Sequence, residues 1–305
     1  MKVLLTGAAG QLGHALRASI PGSINVIATS RSGGEGLVAL DLADAAACRA
    51  AVIEHRPDWV LNAGAYTAVD KAESEPDLAH AVNAGAPDAF ATALAEHGGR
   101  LLQISTDFVF NGSQGSPYRP NQARDPLGVY GASKAAGEEA IQAVFKDDPR
   151  ALILRTSWVM GPVGKNFALT MLRLHRERDS LGVVADQVGC PTSTLNLAQA
   201  CWQSIERGSQ GVLPPVLHWC DDGAASWYDV SVAVGELAAE LGLLESPAVV
   251  RPIQTSDYPT PAARPNYSLL DCSETRKALE LGGEHWRTAL RAVLQSTAHA
   301  SGSVS

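Results

Sequence analysis

Short apolar runs punctuate the first half of this chain, at residues 3–5, 25–28, 37–40, 59–62, 101–105 and 152–155. Runs of this length, bounded by turn residues, read as buried strands. Segments 45–55, 79–97 and 134–144 fall between them and mix apolar and polar residues as helices do. That alternation predicts a parallel sheet with helices on both faces. The rhythm weakens after residue 158. Residues 166–178 and 226–241 read as helices, and 247–265 as an irregular, proline-rich stretch. The expectation is a doubly wound α/β domain over 1–160, with returns near 183–192 and 212–222. A smaller, interleaved C-terminal substrate domain takes most of 161–305. The small, polar residues 297–305 are expected to fray.

Ligands of such sheets bind beyond the carboxyl ends of the strands. At the first of these ends, Lys2-Val3-Leu4-Leu5 runs into Thr6-Gly7-Ala8-Ala9-Gly10-Gln11-Leu12-Gly13. Leu12, Leu16 and Ile20 then repeat at helical spacing. Strand, glycine turn and helix together present backbone N–H groups and a positive helix end to a pyrophosphate. The sheet is therefore read as Rossmann-type. The spacing Gly7-x2-Gly10-x2-Gly13 departs from the commoner Gly-x-Gly-x2-Gly, and a plain strand-to-helix turn is the alternative. Asn62-Ala63 and Ser105-Thr106 end two later strands and should meet in the same cleft. Residues 111–127, rich in Gly, Ser, Pro and Asn, read as a loop over it. Tyr130 and Lys134 stand one turn apart on one helix face. A free phenol titrates near ~10, and a neighbouring ammonium lowers that value. The pair is a candidate proton-transfer device; a simple surface contact is the alternative.

The order of these motifs, with Asn62-Ala63-Gly64-Ala65 between them, resembles the extended short-chain dehydrogenase/reductases. Longer stretches narrow the resemblance. The segments 65–75 (Ala65-Tyr66-Thr67-Ala68-Val69-Asp70 onward), Ser105-Thr106-Asp107-Phe108-Val109-Phe110, Arg155-Thr156-Ser157-Trp158-Val159, Gly189-Cys190-Pro191-Thr192 and Pro261-Ala262-Ala263-Arg264-Pro265 are similar to the dTDP-4-dehydrorhamnose reductases. The resemblance implies reduction of the 4-keto group of dTDP-6-deoxy-L-lyxo-4-hexulose to dTDP-L-rhamnose, an activated sugar for cell-surface glycans. It implies that Tyr130 donates the proton, Lys134 tunes Tyr130 and binds the nicotinamide ribose, and Thr106 hydrogen-bonds the reacting oxygen. Gly7, Gly10, Gln11, Leu12, Ala63, Gly64 and Ala65 would line the cofactor, and Asp41 and Leu42 would border its adenine. Asp41 as the cap of the next helix is an equal alternative. For the nucleotide-sugar substrate the candidates are Tyr66, Trp158, Asn166 and Arg264. A guanidinium binds two phosphate oxygens at once, which favours Arg264 over a plain surface arginine. Trp158 packs either on substrate or in the core. Asp70-Lys71-Ala72-Glu73 reads as a charged helix start.

Three departures matter. Related 4,6-dehydratases resemble Thr-Asp-Glu where this chain has Thr106-Asp107-Phe108, so the base for elimination is absent. Many members of the reductase family carry Tyr at position 108. Some relatives are dimers with magnesium held by glutamates, where Ala15 and Leu195 stand here. Neither residue ligates a metal, so no structural metal is expected, and the chain is read as a monomer or homodimer.

Composition trims the alternatives. The chain has 305 residues, enough for one large or two smaller domains. Its net charge of -8, without a Lys/Arg run, argues against nucleic-acid binding. No apolar run approaches membrane-spanning length, and no signal peptide is apparent, so a cytoplasmic location is expected. Cys48, Cys190, Cys201, Cys220 and Cys272 are scattered, without Cys-x2-Cys pairs, as in reduced proteins. The second strand ends in Ala28-Thr29-Ser30-Arg31-Ser32, without the acid that binds a ribose 2′-hydroxyl. Arg31 suits a 2′-phosphate, which favours NADPH; use of NADH is the alternative. Two other functions stay open. One is a reductase or epimerase of another 4-keto nucleotide sugar. The other is a non-catalytic dinucleotide-binding subunit like the regulatory subunit of methionine adenosyltransferase, against which the intact Thr106, Tyr130 and Lys134 set speaks.

Overall fold

The computed structural model describes residues 1–146, 148–211 and 213–302, the last five as helix backbone. Seven strands form the main sheet: β1 (Lys2–Thr6), β2 (Asn25–Ser30), β3 (Val38–Ala39), β4 (Trp59–Asn62), β5 (Arg100–Thr106), β6 (Ala151–Thr156) and β7 (Val216–His218). All pairs are parallel, in the order β7-β6-β5-β4-β1-β2-β3. The order turns back between β1 and β4, which opens a crevice at their carboxyl ends. The main helices are α1 (Gln11–Ala18), α2 (Ala45–His55), α3 (Ala86–His97), α4 (Val129–Phe145), α5 (Phe167–Glu177), α6 (Thr194–Gln210), α7 (Trp227–Glu240) and α8 (Trp286–Gly302).

Strand alternation explains the three layers. Leu4, Val60, Leu101 and Ile153 point to one face and pack with Val52, Phe90, Leu94, Ile141 and Phe145 of α2, α3 and α4. Val3, Leu5, Leu61, Leu102 and Leu154 point to the other and pack with Leu12 and Leu16 of α1 and Leu197, Cys201 and Ile205 of α6. Each such side chain contributes about 1.5–3 kcal/mol on burial. Both faces are covered, which is why these strands read as continuous apolar runs. A separate core joins α5, α7 and α8 through Ala168, Met171, Leu172, Val230, Val234, Leu237 and Leu290.

Several elements differ from expectation. The 37–40 run forms a two-residue strand, because Gly33, Gly34 and Gly36 turn the chain with positive φ just before it. The 79–97 helix is interrupted by a wide turn of π type at Ala81–Gly85. Pro87 follows one turn later and has no N–H for the carbonyl of Asn83, which fits a widened ladder there. Within the supposedly irregular 247–265, Val249–Ile253 pairs in parallel with Ser180–Val184. A two-stranded pair is all edge, where Pro252 is tolerated. In the return at 183–192, Val188–Gly189 pairs with Ala225–Ser226 and Thr192–Ser193 with Val159–Met160, outside the main sheet. In the return at 212–222, β7 joins the main sheet; Val212 lies outside the described residues. The stretch expected to fray is helical as far as Gly302, and 303–305 lie outside the described residues.

Candidate active site

The glycine turn is built by close backbone approach. Gly7 has φ +65, and a β-carbon there would lie 2.6 Å from Gly64 Cα. A β-carbon on Gly13 would lie 2.2 Å from Gly7 O. Gly64 in turn is held against Leu42, whose Cδ1 a β-carbon would meet at 2.4 Å. Thr6 Oγ1 donates to Asn62 Oδ1 (2.5 Å) and accepts from Gly64 N (3.1 Å), and Asn62 Nδ2 donates to Gln103 Oε1 (2.7 Å). This buried chain crosses β1, β4 and β5 and places Ala63, Gly64 and Ala65 beside the turn. Helix α1 starts at Gly10 with no side-chain cap, which leaves its first N–H groups for an anion. The turn therefore fits a dinucleotide pyrophosphate. Arg31, exposed beyond β2, makes no side-chain hydrogen bond or ion pair with any described residue.

Asp41 does not cap the next helix. Its Oδ1 accepts from Ala43 N (3.0 Å) in the preceding turn, and Asp44 caps α2 through Ala47 N (2.9 Å). Gln11 faces the segment after β6: its Oε1 accepts from Gly161 N (3.1 Å) and Asn166 Nδ2 (2.7 Å). Asn166 also caps α5 through Leu169 N (2.9 Å), so most of its hydrogen-bonding capacity is engaged within the protein.

Thr106 ends β5. Its Oγ1 accepts from Phe108 N (3.2 Å) and donates to Asp107 Oδ1 (3.0 Å). Tyr130 stands half-buried in the first turn of α4, beside Thr106, with the Phe108 ring edge-on to its own at 5.5 Å. Lys134, one turn on, is buried and donates to Ile104 O (2.6 Å). Thus α4 and β5 bring the three residues together. One expectation changes. Burial pushes the Tyr130 phenol up to about 12; Thr106 lowers it and the Asp107 charge raises it further. Burial takes Lys134 down to about 8, opposed by Glu138. In this state desolvation dominates the Tyr130 shift.

Beneath the pair lies a network that sequence reasoning missed. Glu138, one further turn along α4, accepts from Arg155 Nε (2.9 Å) and Nη2 (2.6 Å), from Arg124 (3.1 Å) and from Ser105 Oγ (2.5 Å). The available signal was Glu138 at i+4 from Lys134 and Arg155 at a strand end.

The substrate candidates sit on separate segments, each with partners of its own. Tyr66 is 9% exposed, and its hydroxyl donates to Glu75 (2.7 Å). Trp158 has φ +44, a left-handed conformation that costs a bulky residue roughly 1–3 kcal/mol. It stacks on Trp227 at 3.6 Å, with Gly189 against its edge. Arg264 is not a free cation: Nη2 and Nη1 bind Asp70 at 2.8 and 3.0 Å, and Nη1 also binds Thr260 and Ala262 O. Asp70 is therefore more than a helix-start charge; Arg264 holds its carboxyl below the usual range.

A switch-point crevice, a glycine turn and a Thr/Tyr/Lys cluster in one cleft define the class as a dinucleotide-binding α/β protein of reductase type. The model of the RmlD substrate binding domain matches residues 1–299, and the chain belongs to that family. It is 37% identical over 294 residues to dTDP-4-dehydrorhamnose reductase of Aggregatibacter actinomycetemcomitans, covering 95% of this chain and 97% of that one. The crystal structure of a dTDP-4-dehydrorhamnose reductase from Clostridium acetobutylicum ATCC 824 matches with a TM-score of 0.87 at 34% identity, over 97% of this chain and 99% of that one. The structure of the Bacillus anthracis str. Ames dTDP-4-dehydrorhamnose reductase, in complex with NADP, matches with a TM-score of 0.85 at 31% identity, over 97% and 99%. The motif resemblance and the fold class are thereby borne out.

Proposed function

We propose that this protein catalyses the NADPH-dependent reduction of the 4-keto group of dTDP-6-deoxy-L-lyxo-4-hexulose, forming dTDP-L-rhamnose for cell-surface glycans. The observation that carries the reading is the convergence of Thr106, at the end of β5, with Tyr130 and the buried Lys134, one turn apart on α4. Near-full-length similarity to named reductases supports the substrate. The NADP complex of the Bacillus anthracis relative supports the cofactor.

When bound, NADPH supplies the hydride that reduces the keto carbon. The rest is the work of this chain's residues. The turn at Gly7, Gly10, Gln11 and Leu12 holds the pyrophosphate, Arg31 the 2′-phosphate, and Asp41 with Leu42 the adenine. Ala63, Gly64 and Ala65 line the path toward the nicotinamide ribose, where Tyr130 and Lys134 bind. Tyr130 gives its proton to the oxygen as negative charge develops, and Thr106 hydrogen-bonds that oxygen. Lys134 stabilises the phenolate left behind. Tyr66, Trp158, Asn166 and Arg264 bind the nucleotide sugar, Arg264 after exchange of Asp70 for phosphate oxygens. Residues 1–160 with the return at 212–222 form the dinucleotide domain, and most of 161–305 the substrate domain. The protein acts in the cytoplasm as a monomer or homodimer, without the magnesium site of some relatives. Among the described residues no helix is long and apolar enough to cross a membrane.

The test is NADPH oxidation with the ketosugar generated enzymatically, and product identification by NMR. Turnover giving dTDP-L-rhamnose, and a fall in kcat of roughly 100-fold or more in Tyr130→Phe, is the expected result. Oxidation only with a different 4-keto nucleotide sugar would overturn the substrate assignment. Undiminished turnover in the variant would overturn the mechanism.

A further inference from the structure

Asp107 lies beside Thr106 and has no role in the scheme above. It is 2% exposed, and its Oδ2 has no hydrogen-bond partner among the described residues. A buried carboxylate with one oxygen unpaired is costly, and a proton removes the charge that makes it so. The consequence follows from counting the hydrogen bonds of Thr106.

A hydroxyl has one proton to donate and two lone pairs with which to accept. One lone pair of Thr106 takes the N–H of Phe108. With Asp107 ionised, the Thr106 proton is directed to Asp107 Oδ1, 3.0 Å away. Thr106 then has no proton left for a ketone oxygen. With Asp107 protonated, the carboxyl donates to the second lone pair of Thr106 instead. Thr106 then has its own proton free.

We propose that Asp107 is a positioning residue whose protonated form donates to Thr106 Oγ1 and thereby turns the Thr106 hydroxyl onto the oxygen of the bound ketone. Asp107 keeps its proton throughout; the proton delivered to the alkoxide is that of Tyr130. The groups facing the carboxyl agree with this. From α4 the titratable neighbour is Tyr130, whose ionisation the Asp107 charge opposes. From the segment bridged to Val188 at Tyr267 comes the Ser268 hydroxyl, and from its own turn come the Thr106 hydroxyl and the N–H groups of Asp107 and Phe108. Burial outweighs these four and raises the carboxyl to about 6. No cation is among them, so nothing fixes the charge.

This inference rests on the reductase reading, and two measurements separate the failure of one from the failure of the other. The first is carboxyl-carbon NMR of aspartate-labelled protein without cofactor, with Asp107→Asn to assign the resonance. A midpoint near 6 is expected; a midpoint at the ordinary ~3.9 would overturn the proposal. The second is the pH profile of kcat. The native enzyme should lose about tenfold as Asp107 ionises, the size of one hydrogen bond redirected to a charged acceptor. Asp107→Asn donates through its amide at every pH, so its profile should lose that limb and stay high at alkaline pH. A variant that keeps the limb, or one that is folded but inactive at every pH, would overturn the proposal. If native protein binds NADPH yet reduces no ketosugar, the reductase reading fails, and the NMR midpoint still decides whether Asp107 holds its proton.

Discussion

We propose that Arg31 carries the cofactor preference. It sits exposed beyond β2, without a carboxylate partner among the described residues. A guanidinium there gains charge-assisted hydrogen bonds only if a 2′-phosphate is present. Arg31→Ser should therefore raise the KM for NADPH by roughly tenfold or more and leave that for NADH nearly unchanged. Equal losses with both cofactors would place the preference elsewhere. The placement of Arg31, Tyr130 and Lys134 was legible in the sequence because it is local, a strand end and one helix turn. The partners of Arg264 were not, since Asp70 lies 194 residues away. Nor was the direction of the Tyr130 shift, because burial of a phenol is a property of the assembled cleft. Asp44 displaced Asp41 as the cap of α2 for a similar reason: two acids three apart compete, and backbone geometry chooses.

Helix α4 carries Tyr130, Lys134 and Glu138 on successive turns, so anything that sets its position sets the site. Asn83, in the widened turn before α3, is 2% exposed. Its Oδ1 accepts from Tyr66 N (2.9 Å), and its Nδ2 donates to Tyr66 O (3.0 Å) and Ser133 Oγ (3.0 Å). One amide thus ties the loop after β4 to α4. Asn83 O is also packed on Gly137, where a β-carbon would come within 2.2 Å. Asn83→Ala should cost about 1–3 kcal/mol, since it leaves Tyr66 N–H buried and unpaired. Thermal unfolding would show it as a lower Tm, with kcat/KM reduced as α4 loosens; an unchanged Tm would show that Asn83 ties nothing. The strands and long helices were legible because both sheet faces are covered and their apolar runs end at turn residues. The widened turn was not, since it depends on Pro87 and on the contact with Gly137 far along the chain. The Val249–Ile253 strand was hidden by its prolines and exists only through its pairing with Ser180–Val184.

At the scale of the whole molecule, one buried cluster links helix, sheet and cleft loop. Arg155 of β6 binds Glu138 of α4, Pro120 O of the loop, and His218 Nε2 of β7 at 3.3 Å. A guanidinium only donates, so Nε2 must accept, and Nδ1 carries the proton that goes to Tyr118 O at 3.1 Å. His218 is therefore held neutral, and burial, then Arg155, lowers its pKa to about 3. As pH falls below ~6.5 the unfolded chain takes up this proton and the folded chain does not, so stability is lost from there down to about pH 3. Asp107 and Asp221, raised to about 6, act in the opposite sense, because the folded chain holds their protons first. The native pH dependence mixes these signs, and a variant separates them. His218→Gln keeps an amide donor and acceptor but cannot titrate. Its stability relative to the native protein should rise as pH falls from about 6.5 to 4, by up to about 1.4 kcal/mol per unit. Urea unfolding of both proteins across that range measures it. A constant offset at every pH would show that His218 binds a proton as readily folded as unfolded, and the cluster would then hold sheet and helix together without making their union sensitive to acid.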